Sequence, residues 1–154
     1  MIALLRVDHR LVHGQVAVAW FNHLNANTIL VANDAVANDN FRKSAIRLAK
    51  PENAKLVMKS LDDSIKAINS GITDKYKMLI VVESVRDAEK LIVGTKGKIT
   101  ELNLGGTKVR EGTKNYSKTV NLTSEEEEML TKLKNESVSI FIQQVPNEEK
   151  MFFK

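Results

Sequence analysis

The chain has 154 residues, of which 43% are hydrophobic and 27% are charged, and these are ordinary values for one globular domain. The absence of cysteine excludes a disulfide scaffold, a thiolate metal site and a cysteine nucleophile. No apolar run approaches the roughly 20 residues that span a bilayer, and the opening residues lack the pattern of a signal peptide. We therefore expect a single domain over residues 1–154 and a cytoplasmic location.

The formal net charge is +4, and residues 96–118 carry the whole excess. That segment has one aromatic residue, Tyr116, so it lacks the interleaved stacking side chains of a single-strand nucleic-acid binder. We expect no nucleic-acid partner. A docking face for an acidic or phosphorylated protein and a lysine-rich surface without a partner both remain open for this segment.

The first half of the chain alternates short apolar runs with segments of helical periodicity. In chain order these predict strand 2–7, helix 14–24, strand 28–32, helix 38–49, strand 55–59 and helix 62–70. Trp20 and Phe21 lie on the apolar stripe of the first helix, which favours core packing over the lining of a sugar pocket. Helical spacing also predicts that Phe41, Ala45 and Leu48 point inward from the second helix.

The second half continues the alternation. It predicts strand 77–82, helix 84–93, strand 98–104, a polar basic loop 107–118, a short edge strand 119–122, helix 123–134 and strand 137–145. Ser84 is the expected N-cap of its helix, and Thr123 with Glu126 makes a capping box. Gly105-Gly106 is expected to end the strand before it.

Strands that alternate with helices predict a parallel sheet, since each crossover helix has to pack back on that sheet. The expected fold is therefore α/β: an open, doubly wound, mostly parallel sheet of about six to seven strands with helices on both faces. Such folds bind ligands outside the carboxyl ends of their strands. The segment after the first strand is the richest of these places.

That segment is R-V-D-H-R-L-V-H-G-Q-V, residues 6–16. The free amides at a helix N-terminus bind anions, and Arg10 supplies a guanidinium fork for phosphate oxygens. His13 offers a nucleophilic nitrogen at neutral pH, and Asp8 is placed to orient its ring. A nucleophile in such a cradle suits acceptance of a phosphoryl group. Two alternatives stay open: a non-catalytic domain that binds an anionic metabolite at residues 6–15, and, less favoured, a zinc site built from the three histidines.

The motif at 6–16 resembles the signature of the IIB component of the mannose/fructose/sorbose family of the phosphoenolpyruvate-dependent sugar phosphotransferase system. V-A-N-D at 31–34, N-L-G-G at 103–106 and F-I-Q-Q-V-P at 141–146 extend the resemblance over nearly the whole chain. The first and last of these are most similar to the N-acetylgalactosamine/galactosamine branch.

The resemblance implies a protein-Nπ-phosphohistidine–sugar phosphotransferase. In this chain, His13 matches the histidine that receives a phosphoryl group on Nδ1 from the IIA component and passes it to a sugar at the membrane components IIC and IID. Arg10 matches the arginine that stabilises the phosphate, and Asp8 matches the aspartate near the imidazole. Gly14 and Gln15 match the pair that opens the helix. No cofactor beyond the covalent phosphohistidine is implied, and the protein would associate peripherally with the membrane transporter.

Three further positions have more than one interpretation. Arg6 is a candidate phosphate ligand, but holding Asp8 or pairing elsewhere is equally open to it. Ser84 is first a helix cap and second a candidate phosphate ligand. His9 departs from the Asp or Asn that the family pattern leads us to expect, and we interpret it as an exposed neighbour of the site.

Overall fold

The computed structural model describes residues 1–154. The strands are β1 (Ile2–Asp8), β2 (Thr28–Ala32), β3 (Lys55–Lys59), β4 (Met78–Val82), β5 (Glu101–Gly106), β6 (Lys114–Asn115), β7 (Asn121–Leu122), β8 (Ser139–Ile142) and β9 (Met151–Phe152). The helices are α1 (Gly14–His23), α2 (Asp34–Ala37), α3 (Asn40–Ala49), α4 (Leu61–Ser70), α5 (Val85–Gly94) and α6 (Ser124–Asn135). No helix has both the length and the apolar character needed to cross a membrane.

Seven strands form one sheet in the order β3-β2-β4-β1-β5-β8-β9. All neighbours are parallel except β8 and β9, which pair antiparallel. The chain winds from β1 outward to β2 and β3, and then from β4 in the opposite direction to β5 and β8. Because the connections after β1 and β4 diverge, a crevice opens at the carboxyl ends of these two strands, where doubly wound folds bind ligands.

The sheet has a hydrophobic core on each face. One core gathers residues of α1, α2 and α3, among them Trp20, Phe21, Val36 and Ile46. The larger core lies under α4, α5 and α6. The predicted doubly wound sheet with helices on both faces is therefore confirmed.

The predicted caps are present at both helices where the sequence indicated them. Ser84 Oγ accepts a hydrogen bond from the amide of Asp87, and this N-cap starts α5. Thr123 and Glu126 form the expected capping box at the start of α6. These side-chain hydrogen bonds satisfy backbone amides of the first turn, which have no partner within the helix itself.

The prediction for the inner face of α3 was wrong. Phe41 is 85% exposed, Leu48 is 90% exposed, and Ala45 is exposed as well. Ile46 faces the core in their place, and the short helix α2, absent from the prediction, fills the neighbouring space with Val36. The apolar stripe of α3 therefore faces away from the sheet.

Three strand predictions also need correction. β5 begins at Glu101 and continues through the glycine pair at 105–106 instead of ending before it. Residues 121–122 pair with 114–115 in a separate hairpin, so they are not an edge strand of the main sheet. The last long strand is shorter than predicted, because the chain turns after β8 and returns as β9, which the sequence did not indicate.

Candidate functional site: an imidazole on an uncapped helix

A tight loop between β1 and α1 presents the predicted site at the crevice. The His9 amide donates to Gly106 O (3.0 Å) and the Leu11 amide donates to Asp8 O (2.9 Å). Leu11 has φ +60°, a left-handed conformation that costs a residue with a Cβ about 1–2 kcal/mol. Its side chain and that of Val12 are buried, and burial of a leucine contributes about 2 kcal/mol, which offsets the strain. The two apolar residues thus anchor a loop whose polar side chains form the candidate site.

His13 occupies the N-cap position of α1, with extended backbone angles (φ −148°, ψ 132°). Its side chain is 23% exposed, and its Nε2 lies 2.9 Å from Asp8 Oδ2. Since the carboxylate only accepts, Nε2 carries the ring proton and donates it, which leaves the lone pair on Nδ1. Nδ1 makes no hydrogen bond in this chain and is not enclosed. The ring nitrogen left open to a visiting group is therefore Nδ1.

Asp8 is the hub of the site. It is fully buried, and its Oδ2 accepts from both His13 Nε2 and Arg6 Nη2 (3.0 Å). Its Oδ1 accepts from the backbone amide of Arg10 at 3.0 Å. Burial alone would raise the pKa of the Asp8 carboxyl, but the hydrogen bonds from His13 and Arg10 and the charge of Arg6 outweigh burial and lower that pKa. Asp8 is thus held as an anion and fixes the ring of His13.

Arg6 lies beneath Asp8 and does not reach the surface. It is 3% exposed, and its Nη1 donates to Asn103 Oδ1 (2.6 Å) and to Gln143 O (3.3 Å). Its guanidinium carbon sits 5.5 Å from the centre of the Trp20 ring, in cation–π range. The prediction of Arg6 as a phosphate ligand therefore gives way to the second interpretation, in which Arg6 holds Asp8.

Gly105 makes room for this arginine. A Cβ at position 105 would lie 2.1 to 2.3 Å from the guanidinium atoms of Arg6. That clearance explains why β5 runs through a glycine pair. From the sequence, Gly105 was expected only to end a strand, and Asn103 and Gln143 were given no role beyond their motifs. Gly105 lies at the carboxyl end of β5 and Gln143 directly follows β8, and this position at the site edge of the sheet was the signal that could have found them.

The first turn of α1 is the part of the site that was expected to bind an anion. The His13 side chain makes no capping hydrogen bond, and the first turn holds no acidic residue, so the amides there stay free for a ligand. Gly14 has φ +49°, and nothing lies within 4 Å of where its Cβ would be. Arg10 has a side chain 44% exposed, with Nε 3.5 Å from Asp8 Oδ1. Gln15 is also exposed. The predicted residues His13, Asp8, Arg10, Gly14 and Gln15 thus lie together in the loop after β1 and the first turn of α1, with Asp8 in contact with both His13 and Arg10.

Ser84 and His9 line a polar cavity of about 210 Å³ together with Thr107 and Lys108. The Ser84 hydroxyl makes one hydrogen bond, the cap of α5. No hydrogen bond joins Ser84 to the residues at the start of α1, and its role as a phosphate ligand stays a prediction. His9 is half-buried, and its enclosed Nδ1 has no hydrogen-bond partner, so the expectation of an exposed neighbour was wrong.

The histidines do not form a metal site. His23 is exposed in the last turn of α1, at the end of the helix opposite to His13, and packs edge-on against Trp20 (5.9 Å between ring centres). No group of three or more His, Cys, Asp or Glu side chains has an arrangement that could hold a metal ion. The zinc alternative is therefore set aside.

The basic segment 96–118 does not form one surface. Its first lysines precede β5 and its later cations follow β5, so the length of the strand, roughly 20 Å, separates them. Arg110 makes a two-pronged ion pair with Glu126 (2.8 and 3.2 Å), and Lys118 pairs with Glu148 (3.1 Å). A single docking face for an acidic protein is therefore not built from this segment.

Comparison with known proteins places this geometry in a family. The sequence model of the PTS system sorbose subfamily IIB component matches residues 2–154. The N-acetylgalactosamine-specific phosphotransferase enzyme IIB component 2 of Escherichia coli is 32% identical over 147 residues, which are 96% of this chain and 92% of that protein. The crystal structure of the N-acetylgalactosamine-specific IIB component 1 from E. coli superimposes with a TM-score of 0.92 at 28% identity and covers all of both chains.

Two other relatives match over a smaller share of their own length. A probable phosphotransferase enzyme IIB component of Streptococcus pyogenes is 43% identical over 88 residues, 57% of this chain and 54% of that protein. The mannose-specific EIIAB component of E. coli is 28% identical over 151 residues, 98% of this chain, and the chain spans 46% of that protein.

The fold and the family match define a phosphoryl-carrying α/β domain. The chain belongs to the sorbose subfamily of IIB components of the sugar phosphotransferase system, and as such it is a phosphotransferase and a phosphocarrier. The resemblance seen in the sequence, including that to the N-acetylgalactosamine branch, is confirmed.

Proposed function

We propose that His13 is the residue that carries the phosphoryl group, which it accepts on Nδ1 from a phosphohistidine of the IIA component and then transfers to a sugar at the membrane components IIC and IID. One observation carries this proposal: Asp8 binds Nε2 of His13, and Nδ1 stays free beside the uncapped amides of α1. The name of the mannose-specific EIIAB component of E. coli, which joins an A and a B unit, supports IIA as the donor.

The transfer step is a displacement at phosphorus. The lone pair of His13 Nδ1 forms a bond to phosphorus, while the electron pair of the breaking P–N bond returns to the imidazole of the donor. The proton on Nε2 stays hydrogen-bonded to Asp8, whose negative charge stabilises the positive charge that the ring gains. A protonated phosphoimidazole is also the better donor in the next step, because its leaving group departs as a neutral ring.

The moving phosphoryl group needs cations and hydrogen-bond donors rather than further nucleophiles. Arg10 supplies a guanidinium with a side chain 44% exposed, and the free amides at Gly14 and Gln15 point from the positive end of α1. Arg6, held away from solvent, acts through Asp8 as a positioning residue. The second transfer delivers the group from His13 to a sugar hydroxyl.

This cycle requires no cofactor, since the only intermediate is the covalent phosphohistidine. The protein would work in the cytoplasm, at the inner side of the transporter, because its donor and acceptor both lie there. The uncapped amides and Arg10 also suit a domain that binds an anionic metabolite without chemistry.

Phosphate incorporation from the phosphorylated IIA partner tests the proposal. Wild-type protein is expected to gain one acid-labile phosphate by intact mass, and His13→Ala is expected to gain none while it keeps the native fold by circular dichroism. His9→Ala is the matched control, since it removes the neighbouring imidazole and keeps Nδ1 of His13. Phosphate on His13→Ala, or a wild-type protein that binds phosphate reversibly without a covalent gain of mass, would contradict the proposal.

A further inference from the structure

The outer face of α3 carries an apolar stripe that nothing in this chain covers. Phe41 is 85% exposed and Leu48 is 90% exposed, and Ala45 lies between them at helical spacing. Large apolar side chains this exposed, in a row on one helix, typically mark an interaction site. We define the α3 face as Phe41, Ala45 and Leu48 with the two cations that flank them around the helix, Arg42 on one side and Arg47 on the other.

The charge around the stripe restricts the partner. Residues 40–50 hold the cations Arg42, Lys43, Arg47 and Lys50 and no acidic residue. A second copy of this chain on the same face would bring these cations together, which is unfavourable. The cytoplasmic loops of membrane proteins carry excess Lys and Arg, so they also match poorly. A protein surface with an apolar patch bordered by carboxylates matches both features.

The α3 face lies close to the phosphoryl site. Arg42, in the first turn of α3, reaches Glu83 (3.7 Å), which directly follows β4. The last residue of β4, Val82, pairs with Val7, next to Asp8. The start of α3 is therefore one strand away from the base of the site, and α1 and α3 cover the same face of the sheet. An interface of ordinary size covers about 800 Å² per partner, a disc of roughly 16 Å radius, so a protein centred on His13 would extend over this helix.

We propose that the α3 face is part of the docking surface for the phosphoryl donor, the IIA component, and that this component presents an apolar patch with flanking carboxylates to it. The inference rests on the proposed function, because it takes IIA as the donor to His13. Phe41 and Leu48 supply the apolar contact, and the flanking cations steer the approach. These side chains take no part in the chemistry, so they affect the encounter with the donor and leave the transfer step unchanged.

The experiment measures phosphoryl transfer from phosphorylated IIA over a range of acceptor concentrations. The double substitution Phe41→Ser with Leu48→Ser is expected to raise KM at least tenfold and to leave kcat within twofold of wild type. Val93→Ser is the matched control, since Val93 is 58% exposed on α5, on the opposite face of the sheet, and it is expected to behave as wild type. The charge reversal Arg47→Glu should raise KM most at low salt.

Both serine substitutions replace exposed side chains, so the double variant is expected to fold as wild type does. A double variant with a KM within twofold of wild type would overturn the inference. Two other results would also overturn it. One is a dimer of the wild type in sedimentation that the double variant does not form, with KM unchanged. The other is binding of the wild type to phosphatidylglycerol vesicles that the double variant loses, again with KM unchanged.

Binding of unphosphorylated IIA to His13→Ala, with and without the α3 substitutions, separates this inference from the proposed function. Loss of affinity only with the α3 substitutions supports the docking surface even if phosphate were found on another residue. Equal affinity of all variants overturns the docking surface even if His13 is the phosphorylated residue.

Discussion

Substitution of Gly105 by alanine tests whether the buried arginine builds the site. The added Cβ would lie 2.1 to 2.3 Å from the guanidinium atoms of Arg6, well inside van der Waals contact, so the arginine has to move. Overpacking of a core costs about 1–3 kcal/mol. Displacement of Arg6 also separates it from Asp8, and the loss of one partner from a buried ion pair costs about 3–5 kcal/mol. We expect Gly105→Ala to lose about 3–5 kcal/mol of unfolding free energy and to slow phosphate incorporation.

Gly106→Ala is the matched control for this prediction. A Cβ at Gly106 would approach Asp8 Oδ1 at 3.4 Å, an ordinary contact, and the backbone there is not left-handed. This variant should lose less than about 1 kcal/mol in the same urea titration. In an Arg6→Ala background the cost of Gly105→Ala should nearly vanish, because the clashing group is gone. Equal losses at the two glycines, or an unchanged cost without Arg6, would refute the reasoning.

Three further predictions follow from the charges of the fold. The lowered pKa of Asp8 contributes stability that is complete above about pH 4 and is lost as pH falls through that pKa. In urea titrations, the free energy of unfolding should therefore fall more between about pH 5 and pH 2 for the wild type than for Asp8→Asn. The two tyrosines should ionise separately in an absorbance titration. Burial and the hydrogen bond to Glu127 raise the pKa of Tyr116 to about 12. The stability that this shift adds is present below about pH 10 and is lost as pH rises through 12. A hydrogen bond with Lys55 lowers the pKa of Tyr76. A single transition at the ordinary value would contradict both assignments. Glu126→Ala removes the glutamate half of the capping box of α6 and the partner of Arg110, while Thr123 still caps the helix. It should cost about 1–2 kcal/mol and speed amide exchange in residues 107–122; unchanged exchange there would show that the ion pair does not hold the hairpin.

Local patterns in the sequence were enough to predict the sheet, the two caps and the position of the candidate nucleophile at the crevice. Alternation of apolar runs with helical segments defines a doubly wound sheet, and such a sheet has its crevice after the first strand, where His13 lies. The inner face of α3 could not be predicted, because Phe41 and Ile46 are both apolar and only the packing of α2 decides which one is buried. The partners of Arg6 were missed for a similar reason. Asn103 and Gln143 lie far from it in the sequence, and only the register of β1, β5 and β8 brings them to the same arginine.

The most direct test of the central claim is to identify which nitrogen of His13 binds phosphorus. Wild-type protein labelled with ¹⁵N on the imidazole would be phosphorylated through IIA and observed by ¹H–¹⁵N and ³¹P NMR. We predict phosphorus on Nδ1 and a proton on Nε2 that stays hydrogen-bonded to Asp8. Phosphorus on Nε2, or on a residue other than His13, would contradict the account.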